Sequence, residues 1–118
     1  MKGLCEMKKI IFKETDNFWI LFNGTEYVVG LTKKMQQELG SITQVSLPQA
    51  EQRVARGETF LELKAEKLVG EFVSPLTGIV SSVNEKIDLD ICSLHAEDEL
   101  DAWILAFKDV PQEEFMTL

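Results

Sequence analysis

The stretch "TFLELKAEKLVGEFVSP", residues 59–75, places two apolar arms around a short polar reversal. In "TFLELKA", Leu61, Leu63 and Ala65 fall on one face of an extended chain, with Glu62 and Lys64 on the other. The second arm, "EFVSP", closes at Pro75, which has no amide to donate to a sheet ladder. Between "LELKA" and "GEFV" there is room only for a tight reversal, so Lys67 is predicted at or beside a hairpin tip. The chain has ten lysines, and most lysines in any protein are solvated surface charges. An exposed lysine on a turn therefore carries no message alone. Its surroundings add one: Gly57 lies ten residues before Lys67, Gly78 eleven after it, and Ser74 and Pro75 follow at seven and eight. The lysine is nearly centred between glycine-marked turns, as in a quasi-symmetric pair of β-arms.

The flanks read as more short strands. "KKIIFKE", "FWILFN" and "EYVVGL" are rich in β-branched and aromatic residues and are separated by "TDN" and "NGT". Asn23 and Gly24 form the best local hairpin signal, because both residues tolerate positive φ. In "TKKMQQELGS", Thr32 can cap a helix, Met35 and Leu39 lie four apart on one face, and Gly40 can end it in the left-handed conformation. A short helix is predicted over 33–39, packed on a sheet. "ITQVSLP" alternates like a strand, "QAEQRVARGE" reads as a polar loop, and "TGIVSSVN" as a strand. "EKIDLDICSLHAEDELDA" reads as acidic loop with one helical turn. "WILAFK" is a final strand, and Pro111 is placed to start a short terminal helix. Many short strands with few helices predict an all-β fold, a flattened barrel-like sandwich of two antiparallel sheets. Leu61, Leu63, Val73, Ile79, Val80, Val83, Trp103 and Leu105 are the candidate core, although Ile79 and Val80 cannot both face inward on one regular strand.

At 118 residues the chain fits one domain, expected over residues 8–118 behind a flexible extension of residues 1–7, with Met7 placed as an alternative initiator. The composition is ordinary for a globular protein, 45% apolar and 27% charged. A net charge of −8 argues against a nucleic-acid partner, whose phosphates would be repelled. No apolar run approaches a membrane span, and the apolar stretch of "MKGLCEMKKIIF" is too short for a signal peptide. Cys5 and Cys92 form no CxxC pair and read as reduced thiols of a cytoplasmic protein. His95, the sole histidine, cannot build a zinc site without cysteine or carboxylate help, and it reads as part of a polar loop. No paired catalytic groups or phosphate loop are visible. The residues alone leave Lys67 as either a modified handle or a bare lysine on a small β interaction module.

The longer pattern around this lysine resembles the lipoyl/biotinyl carrier domains, and in particular the glycine cleavage H proteins, from about Asn17 to Lys108. "VGLTKKMQQELGSITQVSLP" (29–48), "RGETFLELKAEKLVGEFVSPLTGIVSSVNE" (56–85) and "WILAFK" (103–108) are similar to that family's helix segment, lysine segment and final strand. The resemblance implies the lipoyl/biotinyl hybrid fold and covalent lipoate on Lys67. Biotin carriers usually flank their lysine with methionines, whereas Glu66 and Leu68 stand here. It further implies a non-catalytic carrier, itself the substrate of a lipoate ligase or lipoyl transferase that reads the hairpin around Lys67, with Glu66, Glu71, Gly57 and Gly78 as recognition positions. The implied partners are glycine decarboxylase, aminomethyltransferase and dihydrolipoamide dehydrogenase, among which the arm shuttles an aminomethyl group or reducing equivalents.

Several positions depart from the family pattern. The usual H-E-W is Asn17, Phe18 and Trp19; a common helix histidine is Lys34; and E-S-V-K is "KAEK", so Lys64 replaces an acid. These departures are similar to those of H-like proteins in bacteria lacking other glycine-cleavage components. There the carrier serves lipoate relay, with an ADP-ribosylating sirtuin and a macrodomain protein as partners. Both the glycine-cleavage and the relay readings are open at this point.

Overall fold

The computed structural model describes residues 10–15, 17–85, 87 and 102–118. The expectations for residues 1–7, Cys5, Cys92 and His95, and most of the acidic 85–102 segment, lie outside the described residues. Among the described residues, nine strands and two short helices run in the order β1 (Ile11–Glu14), β2 (Phe18–Phe22), β3 (Tyr27–Leu31), α1 (Lys33–Leu39), β4 (Ile42–Ser46), β5 (Arg53–Val54), β6 (Thr59–Ala65), β7 (Val69–Val73), β8 (Gly78–Val83), β9 (Trp103–Lys108) and α2 (Gln112–Met116). They form a six-stranded sheet, β1-β2-β3-β9-β8-β5, and a three-stranded sheet, β4-β6-β7. The pairings are antiparallel. The predicted two-sheet all-β architecture is therefore the observed one, with a helix after the third strand and another near the C-terminal end.

Local chemistry explains the elements that hold the lysine. The Thr32 hydroxyl accepts from Met35 N at 3.1 Å, so the helix begins as its sequence predicts. Met35 and Leu39 are buried on its inner face. It ends at Gly40 with φ 71° and ψ −146°. The positive φ was expected, but ψ is extended rather than left-handed helical, a region that is almost glycine-only. The chain thereby leaves the helix directly into β4. Leu61 and Leu63 point from β6 into a core shared with Val29 and Leu31 of β3, Val80 of β8, Ile104, Leu105 and Phe107 of β9, and Phe115 of α2. That core lies between the sheets, where each truncation to alanine would cost about 2–5 kcal/mol.

Three expectations need correction. Val73 is 55% exposed, because along β7 it is Gly70 and Phe72 that turn inward while Val69, Glu71 and Val73 face out. Phe60, absent from the expected core, is buried beside Leu61; a register shift between Thr59 and Leu61 lets neighbours share the interior. "QAEQRVARGE" is not all loop, since Arg53 and Val54 pair with Ile79 and Gly78 as β5. Val80 is buried and Ile79 half-buried, as strand alternation requires. Val83 and Trp103 are half-buried, and Leu105 is fully buried.

Candidate functional site

Lys67 stands at the tip of the β6–β7 hairpin. The strands end at Ala65 and resume at Val69, and the Ala65 amide donates to the Leu68 carbonyl at 2.9 Å to close the turn. Glu66, Lys67 and Leu68 are all exposed. Lys64, which the sequence offers three residues earlier, is exposed on the outer face of β6 and pairs in register with Val69. It lies on the strand, and Lys67 on the reversal. That difference in presentation follows from the alternation of "LELKA", because a strand residue keeps its backbone in the ladder while a tip residue offers its whole side chain.

The tip rests on the end of α1. Glu66 N donates to the Ser41 carbonyl at 2.8 Å and Lys67 N to the Leu39 carbonyl at 3.1 Å. Lys67 Nζ donates to the Gln37 carbonyl at 3.4 Å. Sequence reasoning did not foresee this seat, and no local pattern could have revealed it, since the contact joins segments about 30 residues apart. Glu71 faces outward on β7, opposite Glu62 of β6. Beside them Gln44, Ser46, Glu62, Lys64, Val69 and Glu71 line a shallow groove on the outer face of the small sheet.

Gly57 and Gly78 are placed elsewhere. The Gly57 amide donates to the Ser74 carbonyl at 3.0 Å, and the Ser74 amide to Glu58 at 2.8 Å, clamping the base of the hairpin. With β6 seven residues long, that base lies roughly 20 Å from the tip. At Gly78 a Cβ would meet Val110 Cγ2 at 2.8 Å and the Lys108 carbonyl at 2.9 Å, so close packing of β8 on β9 requires glycine there. Glu26 bonds the Ser81 hydroxyl within the large sheet. Of the sequence-predicted positions, the structure thus brings Glu66 beside Lys67 and sets Glu71 along the arm, and it leaves Gly57 and Gly78 away from the tip. Among the described residues, no group of histidine, cysteine and carboxylate side chains could hold a metal ion. Among the same described residues, no helix is long and apolar enough to cross a membrane.

An exposed lysine at the tip of a hairpin, carried on a two-sheet scaffold, is the layout of a carrier domain. The family follows from direct similarity. Residues 10–118 match the family model described as Glycine cleavage H-protein. The chain is 32% identical over 113 residues to the glycine cleavage system H protein of Lachnoclostridium phytofermentans, covering 94% of this chain and 87% of that one. It is 33% identical over 114 residues to the probable glycine cleavage system H protein of Pyrococcus horikoshii, covering 95% and 84%. In fold it is similar to the crystal structure of a glycine cleavage system H protein from Mycobacterium marinum, with a TM-score of 0.74 and 20% identity over 90% of this chain and 94% of that one. The chain belongs to the glycine cleavage H-protein family. That family consists of non-catalytic lipoyl carriers, whose lipoate is attached to a lysine and which work with glycine decarboxylase, aminomethyltransferase and lipoamide dehydrogenase.

Proposed function

We propose that this protein is the lipoyl carrier of a glycine cleavage system, with lipoate in amide linkage to Lys67 Nζ. The observation that carries the reading is the exposure of Lys67 at the hairpin tip, with its ammonium resting on the Gln37 carbonyl at 3.4 Å. A side chain so placed fits the group: it enters a modifying enzyme's active site without unfolding the strands on either side. When bound, lipoate supplies a dithiolane at the end of a flexible arm, able to take up a small group or two electrons.

The chain's own residues provide the anchor and the direction. A lysine side chain is not spontaneously acylated by a free carboxylic acid in water, so a lipoate ligase or lipoyl transferase must present an activated acyl group. Glu66 beside the lysine and Glu71 on β7 offer that enzyme a negative surface. The two sheets keep the root of the arm fixed while partners come and go. Glycine decarboxylase, aminomethyltransferase and dihydrolipoamide dehydrogenase are the partners in this reading, in the cytoplasm.

Co-expression with a lipoate ligase tests it by intact mass and peptide mapping. One lipoyl group should appear, at Lys67. Lys67→Arg should abolish it, because arginine keeps charge and turn but cannot form the stable amide, and Lys64→Arg should leave it. Lipoylation at Lys64, or none on the wild-type chain, would overturn the reading.

A further inference from the structure

The hairpin that bears Lys67 does not project freely. The last four carbonyls of a helix lack intrahelical partners, and at the end of α1 the hairpin supplies donors. Lys67 N reaches the Leu39 carbonyl and Glu66 N the Ser41 carbonyl just beyond, while Lys67 Nζ reaches Gln37. The two peptide groups that flank Glu66 therefore each donate a hydrogen bond to the end of the helix segment, which fixes the backbone on both sides of Glu66. Gly40 lies at the centre of this contact. A Cβ there would stand 2.8 Å from Glu66 Oε1, 3.3 Å from Glu66 Cβ and 3.4 Å from Lys67 Cγ. Its φ of 71° is itself one that side-chain-bearing residues rarely adopt.

We propose that Gly40 and the last turn of α1 form a notch that seats the hairpin tip and fixes the direction in which Lys67 leaves it, so that the modifying enzyme meets the lysine in one orientation. The proposal rests on Lys67 being the lipoate acceptor. In that modification an amide bond forms between Lys67 Nζ and the carbonyl of an acyl adenylate. The acyl–phosphate bond breaks, AMP leaves, and the ammonium gives up two protons. No atom of α1 enters this chemistry. Gln37 releases the ammonium as the enzyme takes it, and the two backbone bonds keep the root in place meanwhile. Gly40 is accordingly a positioning residue.

The test compares Gly40→Ala with Gly24→Ala, which also forces a side chain onto a positive φ, of 100°, but in the β2–β3 turn of the other sheet. Each unmodified full-length protein is treated with a lipoate ligase, lipoate and ATP, and modification is followed by intact mass. Gly40→Ala should lose roughly tenfold in kcat/KM, as expected for a displaced reacting group, and Gly24→Ala should match the wild type. Amide hydrogen exchange gives a readout that needs no loaded protein and no variant. In the wild type, the Glu66 and Lys67 amides should exchange slowly although both residues are exposed. Open-chain exchange at those amides overturns the proposal. So does unchanged modification of Gly40→Ala, or equal slowing of both variants, which would reduce the effect to lost stability. A wild-type chain that takes up no lipoate overturns the preceding reading as well, and only the wild-type control reports that failure.

Discussion

Glu62 and Glu71 stand directly opposite each other across the β6–β7 hairpin, both on its solvent face. Like charges in register destabilise a strand pair by a few tenths of a kcal/mol to about 1 kcal/mol. The arm that carries Lys67 therefore holds a local electrostatic conflict that either neutral substitution relieves. Glu62→Gln and Glu71→Gln should each raise stability by about 0.2–1 kcal/mol, with a smaller gain in high salt. Their effects on modification should differ. If Glu71 belongs to the negative surface proposed to meet the ligase, Glu71→Gln should slow ligase-catalysed lipoylation, while Glu62→Gln should slow it less. Chemical denaturation read beside initial modification rates separates the two effects. A Glu71→Gln protein that is both more stable and modified at the wild-type rate would remove Glu71 from recognition.

Gly30 lies beneath the Trp19 indole. In register Trp19 pairs with Gly30 across β2 and β3, and a Cβ added at Gly30 would run into the ring at Trp19 Cζ2. Trp19 is 1% exposed and stacks on Phe12, so the ring cannot move aside cheaply. Gly30→Ala should destabilise the fold by about 1–3 kcal/mol, the usual range for overpacking, and should shift tryptophan fluorescence. Because this face is on the large sheet, the unfolding midpoint should fall without any change in the site of modification at temperatures where the protein stays folded.

Alkaline stability should depend on Tyr27. Burial raises its phenol above the ordinary value of 10.0, and the ring packs on Phe22 at 4.5 Å and Phe115 at 5.0 Å. The folded state then holds its proton at pH values where the unfolded chain has released it. Stability from this group is complete below pH 10 and falls as pH rises toward the folded-state value. Lys108 shifts the same way, its hydrogen bond to Glu51 raising it above 10.5, and also loses its contribution only at high pH. Tyr27→Phe should flatten the alkaline limb of a stability–pH curve and leave the region from pH 6 to 9 unchanged. A limb of unchanged slope in Tyr27→Phe would assign it to other groups.

The elements around the lysine were legible because their signals are local. Alternation in "LELKA" marks β6, Thr32 and Gly40 bound α1, and the brief interval between Ala65 and Val69 forces a reversal at Lys67. What escaped depends on distant partners. Arg53 and Val54 form a strand because β8 offers them an edge, and nothing in "QAEQRVARGE" announces that edge. Phe72 and Val73 are adjacent apolar residues, and only the register against β6 decides which turns inward. Phe60 is buried through a bulge, an irregularity that strict period-two counting cannot anticipate. The seat of the tip on α1 joins Gly40 to Glu66 and Lys67, a contact set by the packing of the small sheet against the helix. The family was legible through the length of the shared pattern, since one lysine on a turn has no such specificity.

The last prediction concerns the charge beside the arm. Phe18, at the place where the family pattern has glutamate, is a core residue, 3% exposed and packed edge-on against Phe60 at 5.3 Å and Phe72 at 6.1 Å. It offers no anion to a passing amine. Lys34 is exposed on α1, three residues and hence one turn from Gln37, whose carbonyl receives the Lys67 ammonium. A cationic group carried on the arm would meet repulsion on this face, so this carrier should hold such a group less firmly than relatives with an acid and a histidine at those positions. Lys34→Glu should raise glycine–bicarbonate exchange, measured with the lipoylated protein and a cognate glycine decarboxylase, by about two- to fivefold, the range that a surface charge interaction of about 0.5–1 kcal/mol allows. The gain should shrink as salt is added. Lys34→Glu exchanging at the wild-type rate would show that Lys34 does not face the arm. If the lipoylated wild type supported no exchange at all, yet passed lipoate to an acyltransferase domain, the glycine-cleavage reading would give way to lipoate relay.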